Sequence, residues 1–270
     1  MNRLWPVLLA LAISLVWPSA EAQTRDRELL RLIGENPPIH EIIIDGNEHF
    51  SDGRIRDQMY SRVRSAWAAI KGDRRTRLQK ETLDRDTLEI KYLYLKDGYL
   101  NVHVAETFER IDAGKGARVT VTISEGKQYY YDTVAVIGGY PNHLQDDFRR
   151  LTSKLKRRRP INYFTVHQAS FDMKTLLANN GYPYASVTPL IDTGSIFAPV
   201  TYDIVTDSLV FFGDITISGL SQYPNYTATR ELRFRKGDLY RRQRIIDSQQ
   251  RLYESGYFTT LQLQQKPDLA

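Results

Sequence analysis

One pattern of residues occurs three times along the chain and constrains its fold more than any other feature. Each copy begins with β-branched residues two apart, followed by a glycine, in residues 42–47, 134–139 and 215–220. Further on, each copy has a helical segment that ends in Gly-Tyr, at residues 98–99, 181–182 and 256–257. The same elements repeated in the same order are typical of tandem structural modules. The sequence therefore predicts three copies of one small module.

The strands of each module are predicted from alternation. Successive side chains of a strand point to opposite faces of a sheet, so apolar residues two apart share one face. The first strands pair Ile42 with Ile44, Val134 with Val136, and Ile215 with Ile217. Two more strands are predicted after Gly-Tyr, and the last one alternates through Val119, Val121 and Ile123 and through Val200, Tyr202 and Ile204. These patterns favour half-buried strands with one wet face.

Two helices are expected between the first and second strands, so each module reads β-α-α-β-β. The short helix would begin at Ser51 or Asp52 in the first copy and at Thr229 in the third. The long helix ends at the glycine, which suits the left-handed residue that terminates many helices. Its apolar residues recur at helical spacing and predict a buried stripe: Leu88, Tyr92 and Leu95; Val166, Ala169, Met173 and Leu176; Ile245, Ile246, Leu252 and Tyr253. A polar insert at residues 72–80 is expected to be a mobile loop.

The first 22 residues are predicted to be a secretory signal peptide. Arg3 precedes a mostly apolar run over residues 4–16. Ala20 and Ala22 supply the small residues that favour cleavage before Gln23. A membrane anchor is the alternative, but a spanning helix needs about 20 apolar residues. The chain contains no cysteine, so we expect an exported protein without disulfides or a lipid anchor.

No group of residues typical of catalysis stands out in the sequence. None of the five histidines has a second histidine or a cysteine at metal-binding spacing, and no Gly-x-Ser-x-Gly motif is present. We therefore expect neither an enzyme nor a cofactor. The formal net charge is +5, with basic clusters at residues 74–77, 154–159 and 241–244. These clusters are expected to be solvated surface or to contact anionic lipid headgroups, and export argues against nucleic acid.

Several motifs recur in a set order between residues 38 and 263. They are Ile42-x-Ile44-x-Gly46-Asn47, Tyr94-x-x-x-Gly98-Tyr99, Val119-x-Val121-x-Ile123-x-Glu125-Gly126, Tyr182-x-Tyr184-Ala185-x-Val187 and Leu252-Tyr253-x-x-Gly256-Tyr257-Phe258. This series resembles POTRA domains, the modules that precede the β-barrel of BamA/TamA-type outer-membrane assembly proteins. The resemblance implies an α+β fold of tandem POTRA-like βααββ modules, each a three-stranded mixed sheet with two helices on one face. The expected boundaries are 1–22 for the signal peptide and 37–127, 128–208 and 209–270 for the modules, the third being incomplete.

The resemblance also implies a function at the periplasmic face of the outer membrane. POTRA arrays of this kind bind unfolded outer-membrane proteins or accessory assembly subunits. One alternative is the POTRA region of a two-partner secretion transporter, and another is a cell-division scaffold with a POTRA-like module. An exported enzyme is the alternative from a different class. Because the sequence lacks the last strand of the third module and the barrel, we expect a fragment of a longer protein, with a barrel-less POTRA protein as the alternative.

The expected binding site is the edge strand after Gly-Tyr, because its unpaired main-chain groups can accept an extended polypeptide. The residues concerned are Asn101, Val102, His103 and Val104 in the first module and Tyr184, Ala185, Ser186 and Val187 in the second. Pro189 cannot donate to a ladder, so the first edge is expected to bind better, and proline at His103 is expected to weaken binding. The aromatic residues 129–131 and 211–212 are expected to pack between modules, with an exposed client-binding patch as the alternative.

Overall fold

A computed structural model describes residues 34–65, 70–111, 115–220, 223–258 and 260–264. The predicted signal peptide, residues 1–22, lies outside the described residues and stays a prediction. The chain divides into two compact units, one built from residues up to 91 with 103–124, the other from residues 92–102 with those from 125 onward. The predicted module boundaries likewise stay a prediction.

The first unit contains a three-stranded mixed sheet. Its strands are β1 (Ile39–Asp45), β2 (His103–Ile111) and β3 (Gly116–Ser124), in the order β1-β3-β2. β1 runs parallel to β3, and β2 runs antiparallel to it. Helices α1 (Asp52–Gln58) and α2 (Lys80–Leu95) lie between β1 and β2 in the chain. The predicted order of elements and the α+β fold class are confirmed.

Alternation along β1 and β3 places apolar side chains in the core. The buried residues include Ile42 and Ile44 of β1 and Val119, Val121 and Ile123 of β3, as predicted. Gly46 follows β1 with a φ of 80°, and a Cβ atom there would meet the Ile123 carbonyl oxygen. The turn therefore needs glycine both for its left-handed backbone and for the close approach to β3.

Helix α1 starts where the sequence predicts. In α2, by contrast, the buried face is not the one formed by the predicted apolar residues. The Ser51 hydroxyl caps α1 by accepting a hydrogen bond from the Arg54 N–H group at 3.3 Å. In α2, Leu88 and Tyr92 are exposed. The buried residues are Leu83, Asp86, Ile90, Leu93 and Tyr94. Because α2 carries apolar residues on more than one face, their spacing alone did not identify the buried one.

The insert at residues 72–80 is folded onto the first unit. Asp73 caps a short 3-10 turn at Arg74–Thr76. Leu78 is completely buried, and its N–H group donates to the Pro37 carbonyl at 2.9 Å. The expectation of a mobile loop is wrong for these residues, because a buried leucine and a main-chain hydrogen bond anchor them.

The second unit repeats the sheet of the first. Strands β4 (Tyr130–Gly139), β5 (Ser186–Ile191) and β6 (Phe197–Val205) lie in the order β4-β6-β5, with β4 parallel and β5 antiparallel to β6. Helices α3 (Gln145–Thr152) and α4 (Tyr163–Ala178) lie between β4 and β5 in the chain. The core contains the predicted residues Val166, Ala169, Met173, Val200, Tyr202 and Ile204, together with Tyr129 and Tyr131. Those two tyrosines are core residues and do not form an exposed patch.

Two sets of main-chain hydrogen bonds in the second unit share one pattern, and we call each of them a linker clamp. The first linker clamp joins residues 129–131 to Gly98 and to residues 158–161, and the second joins residues 210–212 to Gly181 and to residues 237–240. In both, the first linker residue donates to the glycine carbonyl at 2.8 Å. The linker then pairs with the segment that leads into the next long helix. Each linker is therefore a hydrogen-bonded element of the fold.

The third copy is only partly formed in the portion of it that the structure describes. Helix α5 (Tyr226–Thr229) is one turn long, and α6 (Arg242–Glu254) is the long helix. Ile245 and Leu252 are buried as predicted, whereas Ile246 and Tyr253 are exposed. The prediction that Thr229 caps a helix is wrong, because Thr229 is the last residue of α5.

The strand predicted at residues 215–217 does not form, and residues 261–263, which follow the Gly-Tyr of the third copy, form no strand either. A first strand in this fold is held by a parallel neighbour, as β1 is by β3. The described residues after α6 supply no such neighbour, and a strand without a partner is not stable. Phe212 instead stacks on Phe234 and Tyr240, with ring centroids 4.0 and 5.3 Å away.

Candidate functional site

The strands that follow Gly-Tyr lie at the edges of their sheets. β2 pairs with β3 and β5 pairs with β6, and neither has a second partner among the described strands. His103 and Val104 are the first two residues of β2, and Ser186 and Val187 are the first two of β5. These four predicted residues therefore lie on sheet edges, and client binding by them stays a prediction.

The other four predicted residues lie in the turns before the strands: Asn101, Val102, Tyr184 and Ala185. The Val102 N–H group donates to the Tyr99 carbonyl at 3.4 Å. In the same way, the Ala185 N–H group donates to the Tyr182 carbonyl at 3.3 Å. Each strand begins two residues later than predicted, because turn hydrogen bonds occupy these amides.

The opposite edge of each sheet is partly covered. In β1, the Ile39 carbonyl accepts a hydrogen bond from the Arg64 N–H group at 2.7 Å. The Ile42 carbonyl accepts one from the Arg56 guanidinium at 3.1 Å. In β4, Tyr131 is bonded within the first linker clamp. β2 and β5 are therefore the edges at which an added strand could pair.

The edge of β5 offers little to an added strand. The Ser170 hydroxyl of α4 donates to the Val187 carbonyl at 2.7 Å. Pro189, two residues further along, has no N–H group, and proline is tolerated in a strand where its nitrogen faces away from the sheet. Both residues therefore direct their main-chain groups away from β6. At this edge Pro189 has no N–H donor, and the Val187 carbonyl already accepts the hydrogen bond from Ser170.

The edge of β2 has the same register and a different chemistry. In the antiparallel ladders, Val104 corresponds to Val187. Glu106 corresponds to Pro189, so Val104 and Glu106 also direct their main-chain groups away from β3. Unlike Pro189, Glu106 has an N–H group, so β2 presents main-chain donors and acceptors in alternation to an added strand. Thr87 of α2 hydrogen-bonds the Glu106 carboxyl group and leaves these main-chain groups free.

Glu106 is an uncommon residue for such an edge. Its side chain turns toward α2, and its Oε1 atom is buried without a hydrogen-bond partner. Asp86 is completely buried and accepts hydrogen bonds from the N–H groups of Tyr60 and Ser61. Burial, followed by the negative charge of Asp86, raises the pKa of Glu106 to about 8. The Glu106 carboxyl group is therefore mainly protonated at neutral pH.

One large apolar side chain is exposed at the same place on each long helix. Leu88, Phe171 and Ile246 are 49%, 56% and 46% exposed, and each precedes its helix-ending glycine by ten positions. Leu88 follows Thr87, and Phe171 follows Ser170, the two hydroxyl residues that contact the edge strands. The sequence prediction assigned Leu88 and Ile246 to buried stripes. The constant spacing from Gly-Tyr is the signal that could have identified this repeated surface position.

Neither a metal site nor a membrane-spanning helix occurs among the described residues. Within the described ranges, no three histidine, cysteine or acidic side chains are grouped so that they could hold a metal ion. None of the described helices has both the length and the apolar character needed to cross a membrane. The basic clusters are partly paired, as in the ion pairs of Arg75 with Asp73 and of Arg157 with Asp132. Their contact with anionic lipid stays a prediction.

Comparison with known sequences points to one family. The model of POTRA, described as surface antigen variable number repeat, matches residues 37–126 and 210–269. The chain is 23% identical over 238 residues to outer membrane protein assembly factor BamA of Nitratidesulfovibrio vulgaris. It is 20% identical over 240 residues to the protein of the same name from Neisseria meningitidis serogroup B. These alignments cover 85% and 87% of this chain and 29% of each relative, so the chain spans less than a third of their length.

Comparison with solved structures supports the same fold. The crystal structure of Haemophilus influenzae BamA POTRA3-5 matches with a TM-score of 0.64 at 19% sequence identity. The match covers 84% of this chain and 88% of that one. At this level of identity the similarity concerns the fold, and it confirms the tandem arrangement of three-stranded mixed sheets with helices.

Proposed function

This chain belongs to the POTRA family, as its motifs predicted, and on that basis we propose that it is the periplasmic POTRA region of an outer-membrane protein assembly factor. The names of the relatives, which are assembly factors, support this proposal. In this role the chain binds unfolded outer-membrane clients and accessory assembly subunits and catalyses no reaction, so it needs no cofactor. Anionic lipid headgroups are a further proposed partner, and nucleic acid is not.

The open edge of β2 carries this proposal. An extended client adds to a sheet edge through main-chain hydrogen bonds, and such pairing depends little on the client's sequence. β2 provides the outward groups of Val104 and Glu106 for this pairing, whereas β5 lacks the corresponding donor at Pro189. A receptor that accepts many different clients needs this kind of sequence-independent contact.

Leu88 supports the same site. Asp84 and Leu88 are neighbours on the helix surface because they are four residues apart, and Asp84 and Thr87 both act on Glu106. Leu88 therefore lies on the side of α2 that borders the β2 edge. Alternate side chains of an added strand point to opposite faces, so half of the client's side chains would face α2 near Leu88. Strands of outer-membrane proteins alternate apolar and polar residues, which fits one apolar contact face.

Glu106 is a better position than His103 for a substitution that tests client binding at the edge of β2. The main-chain groups of His103 face β3, so proline at His103 would disrupt the sheet ladder itself. Proline at Glu106 reproduces the residue that β5 already carries at Pro189, so the sheet should accept it. The Glu106→Pro substitution removes an outward N–H group, and Glu106→Gln is the matched control that keeps this group and also lacks the carboxylate.

The test is a titration of both variants at pH 7 with a peptide of alternating apolar and polar residues taken from an outer-membrane strand. Loss of one main-chain hydrogen bond corresponds to about 1 kcal/mol, so Glu106→Pro should bind at least about fivefold more weakly than Glu106→Gln. Circular dichroism and amide exchange establish that both variants are folded. Equal affinities for two folded variants would show that clients do not dock on β2, and the exposed aromatic Phe211 would be tested next.

A further inference from the structure

The side chain of Glu106 joins the open edge of β2 to helix α2. Its main chain faces outward for pairing, while its carboxyl group is turned back to the helix and hydrogen-bonded by Thr87. The Oε1 atom is buried and has no hydrogen-bond partner. A carboxyl group in this position is tolerated when it is neutral, because an ionised carboxylate with one unpartnered oxygen is costly to bury.

The described charged groups that act on the pKa of Glu106 lie on α2. Asp86 and Asp84 disfavour a negative charge on Glu106, and Lys80 favours one. Lys80 is itself paired with Asp84 at 2.7 Å, so it offers little compensation. From β3, the side that faces the core carries only apolar residues, which are Ala117, Val119, Val121 and Ile123. The hydrogen bond from Thr87 favours the ionised form of Glu106, but burial and the charge of Asp86 oppose that form more strongly, so the pKa is raised.

The Asp86 carboxylate near Glu106 is held by main-chain donors. It accepts hydrogen bonds from the N–H groups of Tyr60 and Ser61, the latter at 3.0 Å. These two main-chain donors fix the Asp86 carboxylate on α2, whereas the Oε1 atom of Glu106 has no hydrogen-bond partner.

We infer that Glu106 is a proton-controlled latch on the client-docking edge: protonated, it holds β2 against α2 in the binding geometry, and ionised, it leaves the helix and loosens the edge. This inference rests on the proposed function, since it assigns a regulation to the same edge. Loss of the proton requires the side chain to move toward water, and the Glu106 main chain, which supplies the outward donor and acceptor, moves with it. Client affinity is therefore expected to fall when the latch ionises.

The second unit provides an internal contrast. The position of Glu106 is taken by Pro189, which has no group that can titrate. Ser170 donates to the Val187 main chain, whereas Thr87 contacts the carboxyl group. A proton-controlled latch is therefore a property of β2 and is not shared by β5.

The test follows the titration of Glu106 and the binding of the outer-membrane strand peptide between pH 6 and 9. In the wild-type chain, the ¹³C signal of the Glu106 carboxyl group should titrate near pH 8, and peptide affinity should fall about tenfold between pH 7 and 9. In Glu106→Gln, affinity should stay constant over this range. Glu81→Gln, which removes an exposed carboxylate from the first turn of α2, should retain the wild-type pH dependence.

Amide exchange separates the latch from the proposed function. Exchange of the β2 amides, corrected for base catalysis, should accelerate above pH 8 in the wild type and not in Glu106→Gln. If the peptide does not bind at any pH, the proposed client function fails, while the titration and the exchange still decide the latch. A Glu106 signal that titrates near pH 4.5, or identical exchange profiles in both chains, would overturn the latch.

Discussion

β2 and β5 occupy the same place in two copies of one sheet, and they differ in what they leave unpaired. β2 presents the main-chain groups of Val104 and Glu106, and the exposed Leu88 follows Thr87, which hydrogen-bonds Glu106. In β5, Ser170 occupies the Val187 carbonyl at 2.7 Å, and Pro189 removes the donor. The comparison shows that repetition of a fold does not repeat the main-chain groups that its edge leaves unpaired, because one proline removes a donor and one hydroxyl occupies an acceptor in β5.

The two edges also differ in how they respond to protons. Only β2 carries a buried carboxyl group, since Pro189 replaces it in β5. The core residues of both sheets serve the same role, as Val119 and Val121 do in β3 and Val200 and Tyr202 in β6. Side chains that hold the sheet together are therefore alike in the two copies, and the residues that differ lie where the sheet meets solvent.

The largest expected difference between the two units is the pH dependence of the first. Glu106 has a pKa of about 8 in the folded chain and of about 4.3 when unfolded. Between these values the folded state binds more protons than the unfolded state, so the free energy of unfolding of the first unit falls as pH rises from about 4.5 to 8. Glu106→Gln should remove this loss and be more stable than wild type at pH 9, by on the order of 2–4 kcal/mol.

Urea unfolding at pH 6 to 9, followed by amide exchange of β3 and β6, measures this effect in each unit separately. β6 serves as the internal control, because its sheet has no counterpart of Glu106. Parallel stability curves for the wild type and Glu106→Gln would contradict the assignment of a buried, protonated carboxyl group.

A smaller effect is expected from opening the edge of β5. The double substitution Ser170→Ala with Pro189→Val frees the Val187 carbonyl and restores an outward N–H group. Two main-chain hydrogen bonds become available to the outer-membrane strand peptide, so the second unit should gain about 1–2 kcal/mol in binding, or roughly tenfold in affinity.

Ser170→Ala alone is the control, since it frees the acceptor without supplying the donor. It should destabilise the second unit by about 1 kcal/mol through loss of the bond to Val187. Binding is located by chemical shift changes on β5 or β2. A double variant that binds no peptide at β5 would mean that an open main-chain edge is not sufficient for docking.

The smallest expected effect concerns the exposed apolar positions of the two helices. Leu88→Ser and Phe171→Ser should each change stability by less than about 0.5 kcal/mol, because both side chains are already largely exposed. Leu88→Ser should also weaken peptide binding two- to fivefold, since it removes an apolar contact beside the open edge. Phe171→Ser should leave binding unchanged, and an equal loss in both variants would show that the helix surface binds clients independently of the strand.

The sequence predicted the strands better than the surfaces, for physical reasons. Alternation through Val119, Val121 and Ile123 has a single interpretation, because a strand has two faces and one of them is apolar. In α2, apolar residues occur on several faces, so the exposed Leu88 was assigned to the core. The third copy lacks its predicted strands, since residues 215–217 need a parallel neighbour that no local pattern can supply.

The burial of the Glu106 side chain could not have been predicted from the sequence. Its burial and its proximity to Asp86 depend on how closely β2 approaches α2, and a glutamate in a strand is ordinarily taken for a solvated residue. The strands predicted to lie at the sheet edges are correct, but each begins two residues later than predicted. The turn hydrogen bonds of Val102 and Ala185, which delay the start, cannot be inferred from composition. Alignment of the repeats would have shown Glu106 opposite Pro189, and that contrast was available in the sequence.

The linker clamps allow the number of modules to change without a new junction having to evolve. Deletion of residues 130–210 would join Tyr129 to Phe211. The hybrid linker would keep the bond to the Gly98 carbonyl at its start and gain the bonds to residues 237–240 at its end, because both clamps use the same pattern. Unequal recombination between two copies of such a gene segment therefore yields a shorter or longer array whose new connection is already hydrogen-bonded.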